Sequence, residues 1–178
     1  MYDVAVIGCG IVGAAAAYEL SRYNCRVLVL EAKNDVANVT TKANSAILHA
    51  GYDPTPGTLM AETNVRGVAL AKELCEKLDV EREEIGSLVL AFGEEDERHL
   101  EKLYQQGLAN GVPGIELLTA DEVHALEPNV SDKVTAALYA PTAAIVSPWE
   151  YALALAETAV VNGCELRLSA PVTGIDRA

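Results

Sequence analysis

Three glycines, Gly8, Gly10 and Gly13, stand at the spacing G-x-G-x-x-G in "DVAVIGCGIVGAAAAYEL", and a carboxylate, Glu31, closes the next apolar run. The spacing has a mechanical meaning. The first glycine permits a tight turn, the second lets backbone approach a pyrophosphate, and the third lets a helix pack closely on a strand. A helix that starts in such a turn aims free N–H groups at an anion. A carboxylate at the place of Glu31 accepts hydrogen bonds from the ribose hydroxyls of an adenosine and repels a 2′-phosphate. Together these residues predict a dinucleotide site that disfavours NADP and leaves NAD or FAD. Cys9 lies inside the turn, where a thiolate near a helix N-terminus would be reactive. Any small residue fits that place, so no chemistry is assigned to it.

The elements that must carry this turn are legible around it. Asp3 to Ile7 is a short apolar run with β-branched members, Ile11 to Tyr23 has helical spacing, and Arg26 to Leu30 is a second buried strand. That is a βαβ start. A polar stretch from Ala32 to Ser45 follows, then "AILHAGYDPTPG" and a long amphipathic helix from Thr58 to Leu78. So long a loop between well-formed elements suggests function. Further on, the pattern predicts a strand in "SLVLAF", a charged helix from Glu94 to Asn110 ended by Gly111, and a strand in "IELLT". Thr119-Ala120-Asp121-Glu122 is a capping box for a helix that stops before Pro128, and "AALYA" is a strand. Ser147-Pro148-Trp149-Glu150 starts a helix to about Asn162. "CELRLS" is a strand, and "PVTGI" begins another that lacks a return partner, so the sheet is expected to be incomplete in this chain.

The totals exclude several classes. With 13 Lys+Arg against 26 Asp+Glu, the net charge of −13 repels polyanions, and nucleic acid is not an expected partner. The four cysteines form no C-x-x-C pair, so neither a metal site nor a redox dithiol is expected, and a reduced, cytoplasmic chain fits best. No apolar run reaches the roughly 18 residues of a membrane span. The first strand leaves no room for a signal peptide. Peripheral contact at the inner face of the membrane stays open.

The segment "TTKANSAILHAGYDPTPGTLMAETNVRG", with "EEIGSLVLAF", "LTADEVHALEPNV" and "APTAAIVSPWEYALALAETAVVNGCELRLSAPVTGI", resembles the FAD-dependent amino-acid oxidase (DAO) superfamily. Within it the similarity is closest to the glycerol-3-phosphate dehydrogenase and L-2-hydroxyglutarate oxidase members. The resemblance implies an α/β fold: a Rossmann-like FAD-binding domain made of 1–85 and 147–178, with 86–146 opening an inserted α+β substrate domain. It also implies that Gly8, Gly10 and Gly13, with Ile11, Val12, Glu31 and Ala32 beside them, bind the ADP half of FAD. Thr40, Thr41, Asn44 and Ser45 would lie near the pyrophosphate or the flavin ring. Family members often carry glycine where this chain has Ala43 and Ala46.

The implied chemistry is oxidation of a C–H bond beside a hydroxyl or amine, with hydride passing to the flavin and electrons leaving to a quinone, oxygen or a partner subunit. The substrate would be a small anionic hydroxy acid or polyol phosphate, sn-glycerol 3-phosphate first and L-2-hydroxyglutarate second. A base is required, and His49 is the best candidate, because imidazole as a group changes charge near neutral pH. Packing beside the cofactor without proton transfer explains His49 equally well. Two other classes stay open: a non-catalytic nucleotide-binding module, and an NAD-linked dehydrogenase sharing only the first thirty-one residues.

Overall fold

The computed structural model describes residues 1–176; positions 177 and 178, the end of the segment 147–178 above, lie outside them. In chain order the elements are β1 (Val4–Ile7), α1 (Ile11–Leu20), β2 (Val27–Leu30), β3 (Ile47–Leu48), α2 (Leu59–Leu78), β4 (Arg82–Glu83) and β5 (Ser87–Ala91). They continue with α3 (Glu94–Asn110), β6 (Glu116–Thr119), α4 (Ala120–Leu126), β7 (Ala136–Ala140), β8 (Ala144–Val146), α5 (Pro148–Val161) and β9 (Glu165–Arg167). A one-turn 3-10 helix, Thr40–Lys42, interrupts the segment between β2 and β3. The chain divides into two compact units. Met1–Ala46, Cys75–Glu81 and the chain from Val146 onward form the first; Ile47–Leu74 and Arg82–Ile145 form the second.

In the first unit β1, β2 and β9 make a parallel sheet in the order β1-β2-β9, with Val4 opposite Val27 and Leu28 opposite Glu165. Val27, Leu28 and Val29 are all buried, as a continuous apolar run in the middle of a parallel sheet should be. The helices α1 and α5 pack against each other through small side chains, with Ala14 and Ala17 on one and Ala152, Ala156 and Ala159 on the other buried. Small residues at such a contact let the axes approach. At the N-terminus of α5, Ser147 Oγ accepts from the Glu150 N–H at 3.3 Å, with Pro148 in the first turn. Residues 171–176 form no strand, contrary to the expectation for "PVTGI". Strand geometry persists where a neighbour satisfies its N–H and C=O groups, and no described strand pairs with this segment.

The second unit is built on an antiparallel sheet in the order β5-β7-β6. Because side chains alternate across a strand, Leu138 and Ala140 of β7 join Leu100 and Leu103 of α3 in one core, while Ala137 joins Val123 of α4 in another. The capping box at Thr119 is fully formed, its hydroxyl accepting from the Glu122 N–H and the Glu122 carboxylate accepting from the Thr119 N–H. A second ladder, β3-β8-β4, was not expected from the sequence. Its strands are two or three residues long, below the roughly 4–8 residues over which alternation can be read.

Candidate functional site

The glycine turn begins where β1 ends. The N–H of Gly8 donates to the Leu30 carbonyl at 2.8 Å, and its φ of +91° is backbone that favours glycine. Gly13 is required for a different reason: a Cβ there would come 1.9 Å from the Gly8 carbonyl oxygen. The first turn of α1 thus rests on the turn that launches it. Gly10 is the N-cap and supplies no side chain, and a Cβ on it would sit 3.1 Å from Thr41 Oγ1. A helix start leaves four N–H groups without an intrahelical acceptor. The Ile11 N–H donates to Thr41 Oγ1 at 3.1 Å.

Glu31 follows β2 and is only 9% exposed. Its Oε2 accepts from the Cys9 N–H at 2.7 Å and its Oε1 from the Lys33 N–H at 2.8 Å. A carboxylate offers about four lone-pair sites, so acceptor capacity remains for ribose hydroxyls. Burial first, and the Glu31 charge second, push the Cys9 thiol up to about 11. It is a protonated packing group at neutral pH rather than a nucleophile.

The segment after β2 folds back over the turn. The Ala37 N–H donates to the Cys9 carbonyl at 2.9 Å, which helps hold Ala37, Asn38, Val39, Thr40 and Thr41 beside Gly10 and Glu31. These seven residues line a cavity of about 180 Å³. Pockets that enclose a whole drug-sized ligand run to roughly 300–1,000 Å³, so this one suits a portion of a dinucleotide. Its polar groups are hydroxyls, an amide and one carboxylate, a set that matches ribose and phosphate oxygens. Among the described residues no cluster of His, Cys, Asp and Glu could hold a metal.

Thr40 and Thr41 therefore lie at the cavity, with Gly10 and Glu31. Ile11 and Val12 form the first turn of α1, and Ala32 is exposed past Glu31. Asn44 is occupied by its own loop: its amide donates to the Thr40 and Thr41 carbonyls at 3.1 and 2.7 Å, and its Oδ1 accepts from the Ala46 N–H at 2.8 Å. It shapes the loop. Ser45 is exposed. Ala37, Asn38 and Val39 were missed by sequence analysis, because nothing in their types reports the backbone bond from Ala37 to Cys9.

His49 belongs to the second unit, one residue past β3. Its side chain is exposed, whereas Ala50, Gly51, Tyr52 and Pro54 behind it are buried. Burial, first among the causes, raises the Tyr52 hydroxyl above its usual range, so Tyr52 stays neutral.

A parallel β1-α1-β2 unit, entered through a glycine turn and closed by an acid after the second strand, defines a Rossmann-like nucleotide-binding fold. The chain belongs to the DAO family of FAD dependent oxidoreductases, whose description matches residues 3–178. It is 50% identical over 177 residues to the glycerol 3-phosphate dehydrogenase of Caloramator mitchellensis, covering 99% of this chain and 37% of the relative. It is 34% identical over 149 residues to the mitochondrial L-2-hydroxyglutarate dehydrogenase of Dictyostelium discoideum, covering 82% and 33%. The dithionite-reduced L-alpha-glycerophosphate oxidase of Mycoplasma pneumoniae, solved with FAD bound, superposes with a TM-score of 0.89 at 33% identity, covering 97% of this chain and 46% of that one. The chain thus spans less than half the length of these relatives. No described helix is long and apolar enough to cross a membrane.

Proposed function

We propose that the first unit holds the adenosine diphosphate end of FAD and that the protein oxidises a small anionic hydroxy compound, sn-glycerol 3-phosphate foremost. The observation that carries this is the glycine-capped start of α1 with Glu31 locked beside it, in a chain half-identical to a glycerol 3-phosphate dehydrogenase. L-2-hydroxyglutarate is the second reading, favoured by the similarity to the Dictyostelium enzyme. In this assignment 1–85 and 147–178 serve the cofactor and 86–146 begins the substrate domain.

The residues divide the work. Gly8, Gly10 and Gly13 keep side chains away from the N–H groups of Ile11, Val12 and Gly13, which bind the diphosphate. Glu31 accepts from the adenosine ribose, with Ala32 beside it. Thr40 and Thr41 hydroxyls donate to phosphate oxygens, and for this Thr41 exchanges its contact with Ile11. Asn44 holds the loop, and Ser45 faces the cofactor. Bound FAD supplies the hydride acceptor. The imidazole of His49 takes the substrate's hydroxyl proton as the C–H bond beside it breaks, a role that general bases of this kind fill with about 10²- to 10⁴-fold in rate.

The test is made on the protein expressed from its complete reading frame. FAD titration should give flavin absorbance, and dye reduction should follow addition of glycerol 3-phosphate in preference to L-2-hydroxyglutarate. Oxygen consumption with and without added quinone then separates oxygen, quinone and a partner subunit as electron acceptor. Absence of flavin binding would overturn the proposal. Flavin binding with faster reduction by L-2-hydroxyglutarate would move it to the second reading.

A further inference from the structure

The buried segment behind His49 leaves its carbonyls with no ladder to join, because β3 ends at Leu48. Carbonyls outside a ladder need other donors, and here three side-chain amides supply them. Asn64 of α2 donates to the His49 carbonyl. Gln106 of α3 donates to the carbonyls of Tyr52 and Asp53 at 3.3 and 3.2 Å. Asn110, one turn on, donates to those of Gly51 and Pro54 at 2.9 and 2.8 Å. The five carbonyls of residues 49 and 51–54 are thereby held by two helices.

The surrounding sequence makes this clamp possible. Gln106 and Asn110 are four apart and so share a face of α3. Between them Gly107 is buried, and a Cβ there would lie 3.2 Å from Tyr52 Cβ and 2.3 Å from Ile115 Cδ1. A side chain there would have to displace Ile115 and press on Tyr52, so glycine eases this close approach. Gly51, at φ +107°, approaches α2 as closely, since a Cβ on it would meet Val65 Cγ2 at 2.6 Å. The Asn110 Oδ1 is buried with no partner, while its amide nitrogen serves two carbonyls. Turning the amide over would set its oxygen against both carbonyls, so the network fixes the orientation.

We propose that Asn64, Gln106 and Asn110 are positioning residues: by clamping the carbonyls of 49–54 they hold the exposed His49 imidazole at one place for proton transfer. This rests on the reading of His49 as the base. An exposed reactive group on an immobilised backbone is what precise proton transfer requires.

The test compares Gln106→Glu and Asn110→Asp, alone and combined, with Gln106→Lys, in the full protein loaded with FAD. The acidic variants keep shape and replace donors with acceptors; the lysine restores a donor. Expected are at least tenfold faster amide hydrogen exchange across 49–53 in the acidic variants and unchanged exchange at β1 and α1. Expected too are an unchanged FAD titration and a tenfold or larger fall in kcat with KM within about threefold, by the scale of misplacement effects. Gln106→Lys should recover kcat. Unchanged exchange in every acidic variant overturns the clamp; faster exchange with wild-type kcat overturns its positioning role. If the double variant fails to fold, either single variant decides in the same way. Failure of the underlying reading is distinct: His49→Gln would keep wild-type kcat, whatever the exchange at 49–53.

Discussion

Cys9 shows how one buried group reports on the glycine turn. Its thiol ordinarily titrates near 9.0 and here is pushed up to about 11 by burial and by Glu31. The unfolded chain therefore releases this proton first, and the folded chain keeps it longer. Between those values the unfolded state binds fewer protons, so stability is full below about pH 9 and falls as pH rises toward 11, by on the order of 2 kcal/mol. Tyr151, raised by burial to about 12, adds loss in the same direction at still higher pH. Urea midpoints measured at several values across this alkaline range should decline, and Cys9→Ala should remove much of the decline below pH 11. An unchanged decline in Cys9→Ala would mean that the thiol is solvated and the turn open. At this scale the sequence shows Glu31 and the glycines, because their types have few other uses at that spacing. It does not show that Glu31 also binds the Cys9 and Lys33 amides, since such bonds depend on where the backbone returns.

Elements whose ends carry chemical signals were the most legible. Thr119 with Glu122, Ser147 with Pro148, and Gly111 at φ +79° each place a helix end where the side-chain chemistry demands it. Strands β3, β4 and β8 carried no signal, because their pairing comes from distant backbone rather than from local pattern. The clamp helix α3 was read as charged, yet Gln106 and Asn110 did not stand out from its polar face. The packing of α1 on its turn gives a paired prediction. Gly13→Ala forces a backbone oxygen to yield to a Cβ 1.9 Å away, which no rotamer change can relieve. It should cost about 3 kcal/mol, the upper end for overpacking, and abolish FAD binding. Gly67→Ala, in α2 with open space around it, should instead gain about 0.5–1 kcal/mol through helix propensity. Thermal melts of the two variants check both signs. A Gly13→Ala protein as stable as wild type would show that the first turn of α1 can shift, and with it the anion site.

At the scale of the whole chain, the parallel sheet and the family were foreseen from the order of motifs, whereas the membership of Ile47–Leu74 in the second unit was not. Periodicity marks a strand or helix but does not say which neighbour it joins. Net charge, by contrast, is read directly, and it bears on how FAD is bound. The chain carries −13, and among the described residues the cavity at Gly10 is lined by Glu31 and by no lysine or arginine. In the proposed assignment the anionic diphosphate is held by amide and hydroxyl groups at short range, against a long-range field of its own sign. Screening weakens the field, with the Debye length falling from about 30 Å at 0.01 M salt to about 8 Å at 0.15 M, and leaves contacts with neutral donors nearly untouched. The FAD dissociation constant should thus fall, by roughly two- to fivefold, as sodium chloride is raised over that range. Fluorescence titration at three salt concentrations measures it. A dissociation constant that rises with salt would place a cation against the diphosphate, with Lys33 and Lys42, which flank the cavity segment in sequence, as the residues to replace next.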